Sequence, residues 1–252
     1  QNILKNFKNV VKQCDLEIDN IVYTPYAIGL SLLSDEEKEL GVALLDIGST
    51  LTSLSIFYNG AILHTKIIPL GGNMITNDIS RIFSLSISDS ERIKIINGQL
   101  IEELENSLSV IEVDSLGGEY DSIEITRKDL IAVIKPRVNE IINSIKDQII
   151  KSGYNHLIAN RVVITGGAAQ MEGLIDITSK TLEKKARLGK ANIIKGVPDN
   201  MRSSSFSAIN SLLTYSMITN NDINSKSITK KNKPEGFYVN ILKFKNWIME
   251  NF

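Results

Sequence analysis

Two apolar runs, each closed by glycine, constrain this chain more than any other feature. Residues 42–47 are followed at once by Gly48, and residues 162–165 by Gly166-Gly167. Short apolar runs of this kind read as strands buried on both faces, and such strands need helices above and below them. The first run leads into residues 51–58, then Asn59-Gly60, then residues 61–68. Asn-Gly between two β-rich runs predicts a tight hairpin, because both central positions require positive φ. The result is an α/β expectation with two glycine turns at strand ends.

The remaining pattern is mostly helical. Ile3, Phe7, Val10 and Val11 predict a helix over 2–14, and Pro25 opens another through Leu33, with 34–38 as its solvated exit. A short strand is expected at 21–23. Gly71-Gly72 precedes a helix over 73–83, and a further helix covers 88–98. Strands are expected at 107–113 and 122–125. Thr126 and Asp129 form a capping-box pattern that opens a long helix to Lys151, which Pro136 should kink or break. Helices are expected at 170–182 and 204–216. Residues 218–236 read as a polar linker, and 237–252 recover helical amphipathicity.

Composition narrows the function. The 252 residues fit one large domain or two small ones. A net charge of −1 gives no ground for a general nucleic-acid binder. Cys14 is the only cysteine, and His64 and His156 lie far apart, so neither a disulfide nor a zinc cluster is expected. No apolar run approaches the roughly 18 residues that span a bilayer. No secretory leader is recognisable, so the cytosol is the default expectation. The chain opens on Gln1, which suits the later part of a longer protein.

Three elements carry chemistry. Asp46-Ile47-Gly48-Ser49-Thr50 sits between two strands; its amides can cradle phosphate oxygens, and Asp46 can hold a magnesium ion through water. A plain β-turn with a polar tip is the alternative. Gly166-Gly167-Ala168 lies between a strand and a helix, where a nucleotide can approach the backbone. Any α/β fold has such turns as well. Glu91 and Lys94, three apart, share one helix face and can straddle a ribose or adenine edge, or form only a surface ion pair.

In order, these elements resemble the second half of the actin-like, Hsp70-like (ribonuclease-H-like) ATPase fold. The stretches 39–48, 63–73 and 76–79, Lys135-Pro136-Arg137, 164–174 and 246–252 resemble the FtsA family of bacterial cell-division proteins. The resemblance runs from about residue 3 to the C-terminus. It implies residues 1–40 as a remnant of the first half and 41–217 as the second half, with a smaller inserted α/β subdomain near 75–160. A linker at 218–236 and a membrane-targeting helix at 237–252 complete it.

The resemblance further implies ATP and Mg2+ as cofactors. Asp46, Gly48, Ser49, Thr50 and Thr52 would form the second phosphate loop, with Asp46 toward the metal. Gly71, Gly72 and Asn73 would sit at its rim, Glu91 and Lys94 on the adenosine, and Gly166, Gly167 and Ala168 in the adenosine loop. The family usually carries three glycines and then threonines in the second phosphate loop, whereas this chain has Gly48-Ser49-Thr50-Leu51. Side chains there narrow the backbone's approach to a γ-phosphate. Weak or no hydrolysis is therefore expected, and the resemblance implies that the first phosphate loop lies outside these residues, so tight nucleotide binding by this stretch alone is not expected.

The implied function is an adaptor that anchors the tubulin-like protein FtsZ to the cytoplasmic face of the inner membrane and recruits later division proteins. Arg127, Lys128 and Arg137 would meet the acidic FtsZ tail peptide. Self-association into filaments would belong to the full protein. Phe237, Ile241, Leu242, Phe244, Trp247, Ile248 and Phe252 form the apolar side of the terminal helix, suited to lie on a membrane surface. The competing expectations are an actin-like ATPase or kinase with turnover, and a truncated, nucleotide-inactive copy.

Overall fold

The two glycine-closed runs become neighbouring strands of one sheet. The structure, a computed structural model, describes residues 2–101, 109–114, 122–190 and 194–226. The terminal helix expected at 237–252, with all its membrane-facing residues, lies outside the described residues. So does most of the linker.

Helix α1 (Asn2–Gln13) leads through an irregular segment to α2 (Thr24–Leu32) and α3 (Asp35–Leu40). Strands β1 (Val42–Ile47), β2 (Thr52–Tyr58) and β3 (Ala61–Ile68) follow as antiparallel neighbours. Asn59 and Gly60 both take positive φ at the β2–β3 turn, as that dipeptide requires. Then come α4 (Gly72–Phe83), α5 (Ile87–Asn97), the separate hairpin β4 (Val110–Asp114) and β5 (Ser122–Thr126), and the long α6 (Arg127–Lys151). Strand β6 (Arg161–Thr165) returns beside β1 in parallel, α7 (Leu174–Leu182) crosses over, and β7 (Lys185–Leu188) pairs parallel with β6. Helix α8 (Ser207–Lys226) ends the described chain. The sheet order is β3-β2-β1-β6-β7.

Alternation along the central strands feeds two cores. Ala43, Leu45 and Ile47 of β1, with Val162 and Ile164 of β6, join Ile75, Ile79, Leu130, Ile134 and Ile141 from α4 and α6. Val42, Leu44 and Val163 point the other way, onto Ile28 and Leu32 of α2 and onto Phe57. Burial of these strands on both faces follows from the period of two. Contact between α2 and Phe57 depends on Gly29: a Cβ there would fall 2.1 Å from the Phe57 ring.

Several expectations change. Residues 21–23 form no strand. The supposed solvated exit 34–38 is the start of α3, with a complete capping box between Ser34 and Glu37. Glu37 is buried and takes a two-pronged grip from Arg187 of β7, at 2.9 and 2.6 Å. Burial alone would raise its pKa, but the Arg187 bonds and the Ser34 amide hold it below the ordinary value. The helix expected from Gln170 begins at Leu174, because Gly173 adopts φ +83 and follows a single 3₁₀ turn. Pro136 does not break α6, which continues through it. The linker expected from Ile218 is helical through Lys226, as the end of α8. Among the described residues no helix is long and apolar enough to cross a membrane.

Candidate functional site

Because β1 and β6 are parallel neighbours with Asp46 opposite Thr165, the turns that follow them leave the sheet side by side. Between these turns and helices α4 and α5 lies a cleft of about 370 Å3. Gly48 and Ser49 line it from the first turn, Gly72 from α4, Glu91 and Lys94 from α5, and Gly167 and Ala168 from the second turn. Residues assigned separately along the sequence thus converge on one space.

The other expected cofactor residues have different tasks. Thr52 is buried and donates its hydroxyl to the Leu70 carbonyl at 2.7 Å, so it braces the hairpin and does not face the cleft. Gly71, Gly72 and Asn73 hold the first turn by main chain. The Gly72 amide donates to the Gly48 carbonyl at 2.9 Å and the Asn73 amide to the Ser49 carbonyl at 2.7 Å. This approach excludes a side chain at Gly71, whose Cβ would stand 2.6 Å from the Ser49 oxygen. Gly71 and Asn73 support the loop from outside the cleft lining. Thr50 is exposed at the tip, outside the cleft lining. Gly166, at φ +96, is packed so closely that a Cβ would lie 2.4 Å from the Ile47 carbonyl and 2.6 Å from Asp46 Oδ1.

Charge is arranged differently on the two walls. On α5, Lys94 Nζ donates to Glu91 Oε2 at 2.6 Å, to Thr76 Oγ1 at 2.9 Å and to the Gly72 carbonyl at 3.3 Å. All three ammonium protons are engaged, which locks the lysine. Thr76 in turn donates to Glu91 Oε2. Burial would raise the Glu91 pKa, but these bonds and the Lys94 charge hold it below the ordinary value. Glu91 stays ionised, and its Oε1 takes part in neither bond. At the end of β1, burial pushes the Asp46 carboxyl up, and among the described residues no cation offsets the effect.

Sequence reasoning missed Thr76, and it missed Ile75, Ile95, Gly98, Gln170, Met171 and Ser205 in the lining. A signal existed for part of this set. Glu91, Lys94, Ile95 and Gly98 fall at i, i+3, i+4 and i+7, one helix face. Ile75, Ile95 and Met171 make that wall apolar, as a flat base requires. The first amides of α4 are taken up by the Gly48 and Ser49 carbonyls, which leaves the tip of the first turn, at Ser49 and Thr50, to meet anionic groups. A solitary half-buried carboxylate suits Mg2+ only when phosphates and water complete its shell. Among the described residues no cluster of three or more His, Cys, Asp or Glu side chains could hold a metal by itself. The residues present therefore fit a nucleotide-borne magnesium and not a free-standing metal centre.

The three expected partner-binding cations separate. Arg137 grips Asp78 of α4 with two bonds, at 2.6 and 3.0 Å, and also pairs with Glu140. It ties α4 to α6. Arg127 donates to Gln99 Oε1 at 3.2 Å. Lys128 is exposed and lines, with Ile131, Lys135 and Pro136, a groove of about 260 Å3 along α6.

Comparison with known proteins is consistent with this geometry. A family model described as "Cell division protein FtsA" matches residues 43–211. The chain is 33% identical over 255 residues to cell division protein FtsA of Pseudomonas aeruginosa, covering 100% of this chain and 60% of the relative. With the same protein of Escherichia coli the identity is 30% over 258 residues, covering 100% and 61%. The chain thus spans about 60% of the length of these curated relatives. Among solved structures, MreB5 of Spiroplasma citri bound to ADP aligns with a TM-score of 0.68 at 16% identity, over 87% of this chain and 66% of that one. A PilM-PilN type IV pilus biogenesis complex aligns at 0.58 and 18% identity, over 79% and 53%. Those likenesses establish the actin-like fold.

Proposed function

The chain belongs to the FtsA family of cell-division proteins, and on that footing we propose that it serves bacterial division as a nucleotide-dependent adaptor. In this reading ATP occupies the cleft between the two glycine turns. Glu91 receives a ribose hydroxyl, with Lys94 and Thr76 fixing its position. The apolar wall of Ile75, Ile95 and Met171 takes the base. The Ser49 and Thr50 end of the first turn meets the phosphates, and Asp46 orients a magnesium ion through water. The magnesium, when bound, neutralises phosphate charge; the residues of this chain bind and orient.

The observation that carries the reading is convergence. Seven residues assigned to nucleotide contact from four separate segments line one cleft. Neither a chance β-turn nor a surface ion pair accounts for that.

The rest of the adaptor reading concerns partners. The exposed Lys128 and the α6 groove, with its apolar floor at Ile131 and Pro136, suit an acidic–apolar peptide such as the FtsZ tail. Residues 237–252, with Trp247 on the apolar side, suit the cytoplasmic surface of the inner membrane. Recruitment of later division proteins and assembly into filaments belong to the full-length protein.

Equilibrium binding of labelled ATP, with and without Mg2+, tests the proposal. Saturable, Mg2+-dependent binding that Glu91→Ala weakens at least tenfold supports it. Binding unaffected by Glu91→Ala and by Asp46→Ala would place the nucleotide elsewhere. Turnover in the same samples should stay below about 1 per second, the low end of ordinary enzymes. Faster turnover that Asp46→Ala abolishes would favour the enzyme reading.

A further inference from the structure

The tip of the first turn is rich in polar groups that the fold does not use. The Gly48 amide donates to the Leu51 carbonyl at 3.0 Å, while the Gly48 and Ser49 carbonyls accept from the Gly72 and Asn73 amides of α4. The peptide groups 48–49 and 49–50 are thereby fixed in direction. Among the described residues, no bond engages the amides of Ser49, Thr50 and Leu51, or the hydroxyls of Ser49 and Thr50. None of the three residues takes a positive φ, so each holds its side chain without strain. Ser49 lines the cleft, Thr50 is exposed beside it, and the apolar Leu51 is 47% exposed. The donors that the tip offers are all neutral.

The rest of the lining does not supply the missing charge. Among the described residues that line the cleft, Lys94 is the one cation and Glu91 the one anion. They pair at 2.6 Å, and the other two Lys94 protons go to Thr76 Oγ1 and the Gly72 carbonyl. The lining therefore carries no uncompensated positive charge. Amides and hydroxyls at a turn hold phosphate oxygens by hydrogen bonds. A third phosphate brings a further negative charge, and sites that read one meet it with a lysine or arginine as well as magnesium. Magnesium accompanies both the diphosphate and the triphosphate, so it does not by itself favour the longer chain.

We propose that this cleft holds a nucleotide by its diphosphate portion and does not read a third phosphate, so that ADP binds these residues at least as tightly as ATP. The inference rests on the reading that a nucleotide occupies the cleft. It makes the nucleotide a fixed part of the structure and not a switch, because loss of the terminal phosphate leaves the contacts of these residues in place. Charge is what the tip lacks, so a lysine placed there at the exposed Thr50 or Leu51 creates a preference for the triphosphate.

Amide NMR titration of the 252-residue chain with ADP and with ATP, each at saturating Mg2+, tests it and reaches dissociation constants in the millimolar range. Phosphorus spectra of the same samples confirm that the ATP stays intact. Shifts at Ser49, Thr50 and Leu51 with both nucleotides, and a dissociation constant for ADP no more than threefold above that for ATP, support the proposal. In Thr50→Lys the ratio should move at least fivefold toward ATP. Leu51→Lys repeats the test at the neighbouring position, and melting curves show that each variant is folded. ATP preferred by more than threefold in the unaltered chain would overturn the proposal, as would an unchanged ratio in both folded lysine variants. Either result leaves the nucleotide reading standing. Absence of saturable shifts with either nucleotide would contradict that reading and this inference together.

Discussion

Glu91 lines the cleft from α5, whereas Asp46 sits at the end of β1 against Gly166, outside the lining, and the protein treats the two carboxylates in opposite ways. Glu91 receives Lys94 and Thr76 and is held below its ordinary pKa. Asp46 stands half-buried at the end of β1, and burial pushes it up. The first charge is answered within the fold, so it contributes to stability and is pre-oriented for a hydrogen-bonding ligand. The second is answered by no cation among the described residues, so it costs stability until a cation arrives. The α4–α5 wall is prepared by side chains. The sheet wall is prepared by main chain, through glycines that let the two turns approach.

The largest effect should come from disturbing the sheet wall. Gly166→Ala combines a positive φ with a collision against the Ile47 carbonyl and Asp46. It should destabilise the chain by about 3 kcal/mol or more, read by denaturant titration. Gly71→Ala has only the collision, since its φ of −164 is ordinary extended backbone. Its cost should be about 1–3 kcal/mol. If the two variants prove equally mild, the turns are not held as tightly as their main-chain contacts indicate.

On the other wall, Thr76→Val should cost about 1 kcal/mol through the lost hydrogen bonds. It should also let the Glu91 pKa rise toward the ordinary value, measurable by carboxyl NMR titration. The sign follows from linkage. Glu91 is depressed in the fold, so its contribution is full above the unfolded-state pKa and is lost as pH falls through the lowered folded value. Asp46 runs the other way. Its folded pKa is raised, so stability declines as pH rises from the unfolded value through the folded one. Asp46→Asn should therefore give the smallest stability change, and a favourable one at neutral pH, while removing the Mg2+ dependence of ATP binding. A loss of stability in that variant would mean that Asp46 has a partner within the fold.

The sheet wall was largely legible in the sequence. Apolar runs closed by Gly48 and Gly166, and the Asn59-Gly60 hairpin, are local signals with a direct steric basis. The capping box at Ser34 and Glu37 was equally local, but its acidic run 35–37 reads as solvent-facing until Arg187 is placed against Glu37 from 150 residues away. Strand β7 escaped notice because an edge strand of Lys185-Ala186-Arg187-Leu188 has no apolar periodicity. For Thr52 and Arg137, residue type and position in a motif do not reveal which neighbour a side chain meets within the fold; the bonds to Leu70 and Asp78 come from tertiary structure. Thr76 went unseen for the converse reason: nothing in its local sequence distinguishes a helix threonine that bridges Lys94 and Glu91 from one that faces water.

The central claim is that both walls close on one nucleotide. Amide hydrogen exchange of the 252-residue chain, with and without saturating MgATP, tests it most directly. Slowed exchange is expected in four separate segments, 48–51, 72–76, 91–98 and 166–171, with little change in α6 beyond Pro136. Protection confined to one of these segments, or none in any of them at ATP concentrations in the millimolar range, would contradict it.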